Sequence, residues 1–158
     1  MIAIKTILLP TDGSECSQKA MAYALAFANQ FRARVVGLYV IDQRWEDQTR
    51  QNFGEVQQAI LQKAIERSEN EARGIVEAVA DAGTKVGVAV DSRIVTGTPV
   101  EQIVRLAKEL SVDLIIMGTH GRTGISHVFL GSVAEKVVRR APCPVLTVRP
   151  KEHDFIVP

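Results

Sequence analysis

Alternation is the feature that most limits what this chain can fold into. Five short apolar runs, "AIKTILLP", "ARVVGLYVID", "KVGVAVDSRIVTG", "VDLIIMG" and "CPVLTVRP", are separated by four segments with helical periodicity. Runs that are apolar on successive residues suit strands covered on both faces, as in a parallel sheet. The first helical segment, "SECSQKAMAYALAFANQFRA", repeats Ala20, Ala24, Phe27, Ala28 and Phe31 behind Ser14, an N-cap residue type. The second runs from about Phe53 to Asp81, with Val56, Ile60, Ala64, Ile75, Val76 and Val79. Its charged middle, "ERSENEAR", is expected in solvent, and Gly83 is its expected C-cap. In "TPVEQIVRLAKELS", Pro99 suits the first turn of a third helix, and "SVAEKVVRRA" reads as a fourth. A β-α-β-α-β-α-β-α-β order argues for an α/β fold, an open parallel sheet with helices on both faces. The 158 residues fit one domain, taken as residues 1–150, with a tail at 151–158.

Charge narrows the partners. Nineteen Lys and Arg against eighteen Asp and Glu leave a net charge of +1, with no basic footprint for nucleic acid and no polybasic membrane signal. No run approaches the roughly 20 apolar residues of a membrane span, and the start "MIAIKTILLPTDG" lacks the features of a signal peptide. Cys16 and Cys143 stand in unrelated contexts, without metal-ligand spacing, and read as reduced thiols. The expected location is the cytoplasm.

Sheets of this kind bind ligands beyond the carboxyl ends of their strands, where strand order reverses. The candidate positions are "PTDGS", "VID", "VTGTP" and "MGTHGRTG". The first and last are the loops most expected to lie side by side. The last opens a glycine series, Gly118, Gly121, Gly124 and Gly131, that leaves a strand and ends at a helix start. Glycines allow close approach of backbone to ligand and positive φ, and the free N–H groups of a helix start attract phosphate. The alternative is that these glycines only make a tight turn. "SVAE" is a capping-box pattern, with Ser132 as cap and Glu135 reaching back. Neither a Walker A loop nor the dinucleotide GxGxxG follows any strand.

From Ile4 to Arg149 the chain resembles the universal stress protein family. "ILLPTDGSECSQKAMAYAL" looks like that family's first strand and Asp-Gly-Ser turn. "VTGTPVEQIVRLAKELSVDLIIMGTHGRTG" and "APCPVLTVRP" resemble its third-helix region and closing strand. Gly118-x2-Gly121-x9-Gly131-Ser132 matches its ATP-binding pattern, G-x2-G-x9-G-[ST], without a gap. The resemblance implies an adenine nucleotide alpha hydrolase-like fold with strand order 3-2-1-4-5. It also implies ATP as ligand, with Mg2+ or Mn2+ bridging the phosphates, and a homodimer paired through the last strand, Cys143 to Val148. Carried onto this sequence, Pro10, Thr11 and Asp12 meet the adenosine and Val40 walls the base. Met117 and Gly118 lie against the ribose, and Gly121, Arg122, Gly131, Ser132 and Val133 hold the phosphates.

Several residues keep a second reading. Asp12 is a ligand contact or a turn former. Arg122 is a phosphate partner or a solvated cation. His120 and His127 flank the loop as acid–base candidates or as plain loop residues. Cys143, between two prolines, reads as packing, and Asp42 follows the second strand closely enough to approach a ligand. The function expected is a nucleotide-dependent, stress-responsive regulator with slow or no hydrolysis. The alternatives are a weak ATPase or nucleotidyl transferase on the same fold, and a dimeric scaffold that binds no nucleotide.

Overall fold

The computed structural model describes residues 3–42, 54–121 and 130–151. Five strands form one sheet: β1 (Thr6–Pro10), β2 (Arg34–Asp42), β3 (Val90–Gly97), β4 (Leu114–Gly118) and β5 (Val145–Val148). Between them run α1 (Glu15–Phe31), α2 (Glu55–Lys85), α3 (Pro99–Glu109) and α4 (Ser132–Arg140). Every strand pairing is parallel, in the order β3-β2-β1-β4-β5 expected from the resemblance. The order reverses at β1, which pairs with β2 on one side and β4 on the other.

Side-chain alternation divides the core into two layers. Ile7, Leu9, Val35 and Ile116 point to one face, where Ala20, Ala24 and Ala28 of α1 and Val79 of α2 cover them. Leu8, Val36, Leu38, Ile115 and Met117 point to the other, against Val100, Ile103, Val104 and Ala107 of α3 and Ala134 and Val137 of α4. The small alanines of α1 let that helix lie close to the sheet. Ile7, Leu8 and Leu9 are completely buried, as a central strand covered on both faces requires. At the amino edge, the Asp113 carboxylate accepts the Lys5 and Thr6 N–H groups at 2.8 and 2.9 Å, joining the starts of β1 and β4.

Local signals held in part. Ser14 caps α1 by accepting the Ser17 N–H at 3.2 Å, and Pro99 opens α3. Gly83 is not a C-cap: α2 continues to Lys85 and ends at Val86. A Cβ at Gly83 would lie 2.3 Å from Val90 Cγ2 and 3.0 Å from the Val88 carbonyl oxygen, so the glycine serves close packing against the start of β3. β3 accordingly begins at Val90, five residues inside the expected run. The core-facing half of α2 is its second, through Ala72, Val76 and Val79, whereas Val56 and Ile60 are 71% and 64% exposed. The helix spans about 46 Å and outreaches the sheet edge it covers. Among the described residues no helix is long and apolar enough to cross a membrane.

Candidate nucleotide-binding cleft

Parallel strands bring Pro10, Asp42, Gly97 and Gly118 to one edge of the sheet. The turn after β1 is tightly specified. The Thr11 N–H extends the ladder to the Leu38 carbonyl at 2.9 Å. Asp12 Oδ1 accepts the Ser14 N–H at 3.0 Å, closing an Asx-turn through Gly13, whose φ of 77° is left-handed. The Thr11 hydroxyl donates to Ser17 Oγ at 3.1 Å, and the Ser17 hydroxyl donates to the Ser14 carbonyl at 2.9 Å. Asp12 is therefore a turn former, and it also lines the cleft.

Three glycines of the series are placed by proximity. A Cβ at Gly118 would lie 2.9 Å from Cys16 Sγ and 3.0 Å from the Cys16 carbonyl carbon. At Gly121 it would lie 2.6 Å from Asp12 Oδ2, and at Gly131, 2.7 Å from the Thr119 carbonyl oxygen. None of the three is among the positive-φ residues, so the expectation of positive φ in this loop is corrected for them. They let the loops after β1 and β4 and the start of α4 come together at backbone distance.

The capping-box expectation is also corrected. Gly131 is the N-cap of α4 and Ser132 its first helical residue, with no side-chain cap bond. The Gly131 N–H is spent on the Thr119 carbonyl at 2.7 Å, which fixes where the helix starts, and Glu135 pairs with Arg139 at 3.0 Å instead of reaching back. The N–H groups of Ser132, Val133 and Ala134 open the helix and have no intrahelical acceptor.

These elements enclose a cleft of about 580 Å³, within the range of small-molecule sites. One wall is apolar, built from Pro10, Leu38, Val40, Pro99, Ile103 and Met117. The other is backbone-rich, from Gly118 to Gly121 and from Leu130 to Ala134. Asp12 and Asp42 stand at the ends of β1 and β2. The expected residues Pro10, Thr11, Asp12, Val40, Met117, Gly118, Gly121, Gly131, Ser132 and Val133 all line this one cleft. Arg122, Gly124 and His127 lie outside the described residues. Asp42, which followed its strand closely enough to be considered, lines the cleft too. Cys143 packs beneath the α3–α4 layer; burial, and after it the charge of Asp113, pushes its thiol up from the ordinary range, as packing without chemistry would have it.

Pro99 and Thr119, which lie in the candidate stretches "VTGTP" and "MGTHGRTG", line the cleft, and so do Leu38, Ile103 and Leu130, which were not expected there. Leu38 carried a usable signal, because it shares a strand face with Val40. Pro99 and Ile103, four residues apart on α3, form one face of that helix.

Comparison with known proteins agrees with the architecture. The sequence model of the universal stress protein family matches residues 3–149. The universal stress protein MJ0577 of Methanocaldococcus jannaschii is 38% identical over 159 residues, spanning 95% of this chain and 98% of its own. A second protein of that organism, the universal stress protein MJ0531, is 35% identical over 150 residues, spanning 94% of this chain and 85% of its own. The solved structure of MJ0577 superposes with a TM-score of 0.78 over 96% of this chain and all of that one, at 35% identity. A universal stress protein solved in complex with cAMP superposes with a TM-score of 0.67 at 26% identity, over 94% of this chain and 99% of that one.

Proposed function

Because the chain belongs to the universal stress protein family, we propose that it binds ATP in this cleft and acts as a nucleotide-dependent regulator. The observation that carries the reading is the convergence of the glycine series on the start of α4. Gly118, Gly121 and Gly131 close the loops together, and Ser132 and Val133, whose N–H groups have no intrahelical acceptor, line the cleft. A helix start of this kind favours a phosphate by its free N–H groups and its dipole. In this arrangement the adenine lies against Val40 and the apolar wall, with Pro10, Thr11 and Asp12 at the adenosine. Met117 and Gly118 meet the ribose, and Gly121, Arg122, Gly131, Ser132 and Val133 take the phosphates. The cAMP complex of a relative supports an adenine nucleotide as the ligand class.

The fit to a divalent ion follows the donor set. Among the described residues no group of three or more His, Cys, Asp or Glu is placed to hold a metal. Mg2+ or Mn2+ would therefore be held chiefly by the phosphates, the usual manner for Mg2+ with a nucleotide. Its contribution when bound is to neutralise phosphate charge.

The rest of the reading is architectural. β5 is an edge strand with its outer backbone groups unpaired within the sheet. Pairing Cys143 to Val148 with a second copy would cover that edge and give a two-fold homodimer. Residues 1–150 form the domain and 151–158 its tail, and the protein works in the cytoplasm as a stress-response component with slow or no hydrolysis. Titration calorimetry with ATP and magnesium on nucleotide-stripped protein, with phosphate release and light scattering on the same samples, tests the ligand, the turnover and the dimer. Saturable binding by a dimer with negligible release is the expected result. A protein that takes up no ATP contradicts the reading, and rapid release moves it to an ATPase.

A further inference from the structure

We infer that nucleotide occupancy of the cleft and pairing of β5 with a second copy of this chain are linked, each strengthening the other, and that Thr119 joins them; the inference rests on the nucleotide and homodimer readings above. Both ends of the segment that carries α4 and β5 are fastened to this one residue. The Gly131 N–H, at the start of α4, donates to the Thr119 carbonyl oxygen at 2.7 Å. The Thr119 N–H donates at 2.9 Å to the carbonyl oxygen of Val148, the last residue of β5. The Cys16 thiol donates to that same Val148 oxygen at 3.0 Å.

Thr119 has little freedom of its own. It is 6% exposed, and its Oγ1 lies 2.9 Å from His120 Nδ1 and 3.6 Å from Cys16 Sγ. The neighbouring His120 Nε2 is buried as well. The segment fastened to it is stiff. Residues 141–144, "APCP", join α4 to β5, and their two prolines fix φ. Ala134 and Val137 of α4 are buried in the layer against which Val145 packs. A shift at the start of α4 therefore reaches both ends of β5, through the Thr119 peptide to Val148 and through α4 and the prolines to Val145. Coupling between sites is carried by contiguous bonds and packed elements of this kind.

The second copy acts on the other side of the same strand. The Ile115 N–H donates to the Pro144 carbonyl at 3.0 Å and the Thr119 N–H to the Val148 carbonyl, so the backbone groups of Val145 and Thr147 point away from β4. β5 is a sheet edge of four residues, and Val145, Leu146 and Thr147 are only half-buried. A nucleotide that engages the Ser132 and Val133 amides holds Gly131 and Thr119 in this arrangement, and with them the end of β5. A second copy paired along Val145 and Thr147 holds that strand from outside. Both favour one arrangement, so each reduces what the other must order, and the effect is reciprocal.

The test is a dilution series of nucleotide-stripped wild type by sedimentation, with and without ATP and magnesium, beside ATP calorimetry on wild type and Thr147→Pro. That exchange removes an outward N–H and leaves the bonds to β4 in place, so the variant should be monomeric. The expected outcome is an ATP affinity about fivefold or more lower in the monomeric variant than in the wild-type dimer. The wild-type dimer dissociation constant should fall in ATP by the square of that factor, because two sites fill. Equal ATP affinity in monomer and dimer, or a dimer constant that ATP leaves unchanged or raises, would overturn the inference while leaving both readings intact. A wild type that stays monomeric at every concentration overturns the inference together with the dimer reading, and one that takes up no ATP overturns it together with the nucleotide reading. Should Thr147→Pro fail to fold or remain dimeric, the wild-type series decides alone.

Discussion

Gly131→Val should lower the affinity for ATP by about 100-fold or more, the equivalent of two hydrogen bonds to a charged group. The new Cβ would stand 2.7 Å from the Thr119 carbonyl oxygen, a backbone atom that cannot swing away. Relief requires parting the start of α4 from the loop after β4, which moves the Ser132 and Val133 amides off the cleft. The same shift breaks the 2.7 Å bond from the Gly131 N–H to Thr119. Ser132→Pro separates the chemistry from the packing. Ser132 is the first residue of α4, a position where proline suits the helix, and Gly131 before it has φ −61° and ψ 154°, the conformation a pre-proline residue prefers. That variant removes one amide donor with little disturbance, so affinity should drop about tenfold with the melting temperature unchanged. Gly74→Ala is the matching control: no atom lies within 4 Å of its built Cβ, and a helix gains about 0.5–1 kcal/mol from the exchange. Calorimetry and thermal melting on the three variants read both effects.

Leu8→Ala should destabilise the fold by about 2–5 kcal/mol, whereas Ile60→Ala should change it by less than about 0.5 kcal/mol. Leu8 is completely buried in the central strand, beneath the layer made by α3 and α4. Its truncation leaves a cavity walled by a sheet and two helices that cannot collapse onto it. Ile60 belongs to the same kind of apolar helical pattern in the sequence, yet it is 64% exposed on α2. Urea unfolding of both variants, with unchanged m-values, measures the difference directly.

That contrast shows where the sequence was legible. Burial on both faces leaves continuous apolar strands, so β1, β2 and β4 could be read from "TILLP", "RVVGLYVID" and "LIIMG" alone. Strand–helix alternation then dictated a parallel sheet, and the carboxyl ends of the strands located the cleft. Which half of a 31-residue amphipathic helix meets the sheet is a tertiary matter. Periodicity at Val56 and Ile60 looks the same as at Val76 and Val79. Gly83 and Ser132 misled for a related reason. A glycine near a helix end and a serine before an apolar run carry strong local preferences, but contact with Val90 in one case and the Gly131–Thr119 bond in the other decided where the helices end and begin. The glycine spacing has a packing reason beside the expected one: Gly118, Gly121 and Gly131 make room for Cys16, Asp12 and Thr119. Ile103 on the α3 wall and the buried Nε2 of His120 have no one-dimensional signature, because each depends on what packs opposite.

The most direct measurement is the 1H–15N amide spectrum of nucleotide-stripped protein titrated with ATP and magnesium. Saturating shifts at Gly121, Gly131, Ser132 and Val133, with Gly74 on α2 unmoved, are the predicted result. Unchanged loop and α4 amides at millimolar ATP, or shifts confined to other parts of the molecule, would contradict the assignment of this cleft to a nucleotide.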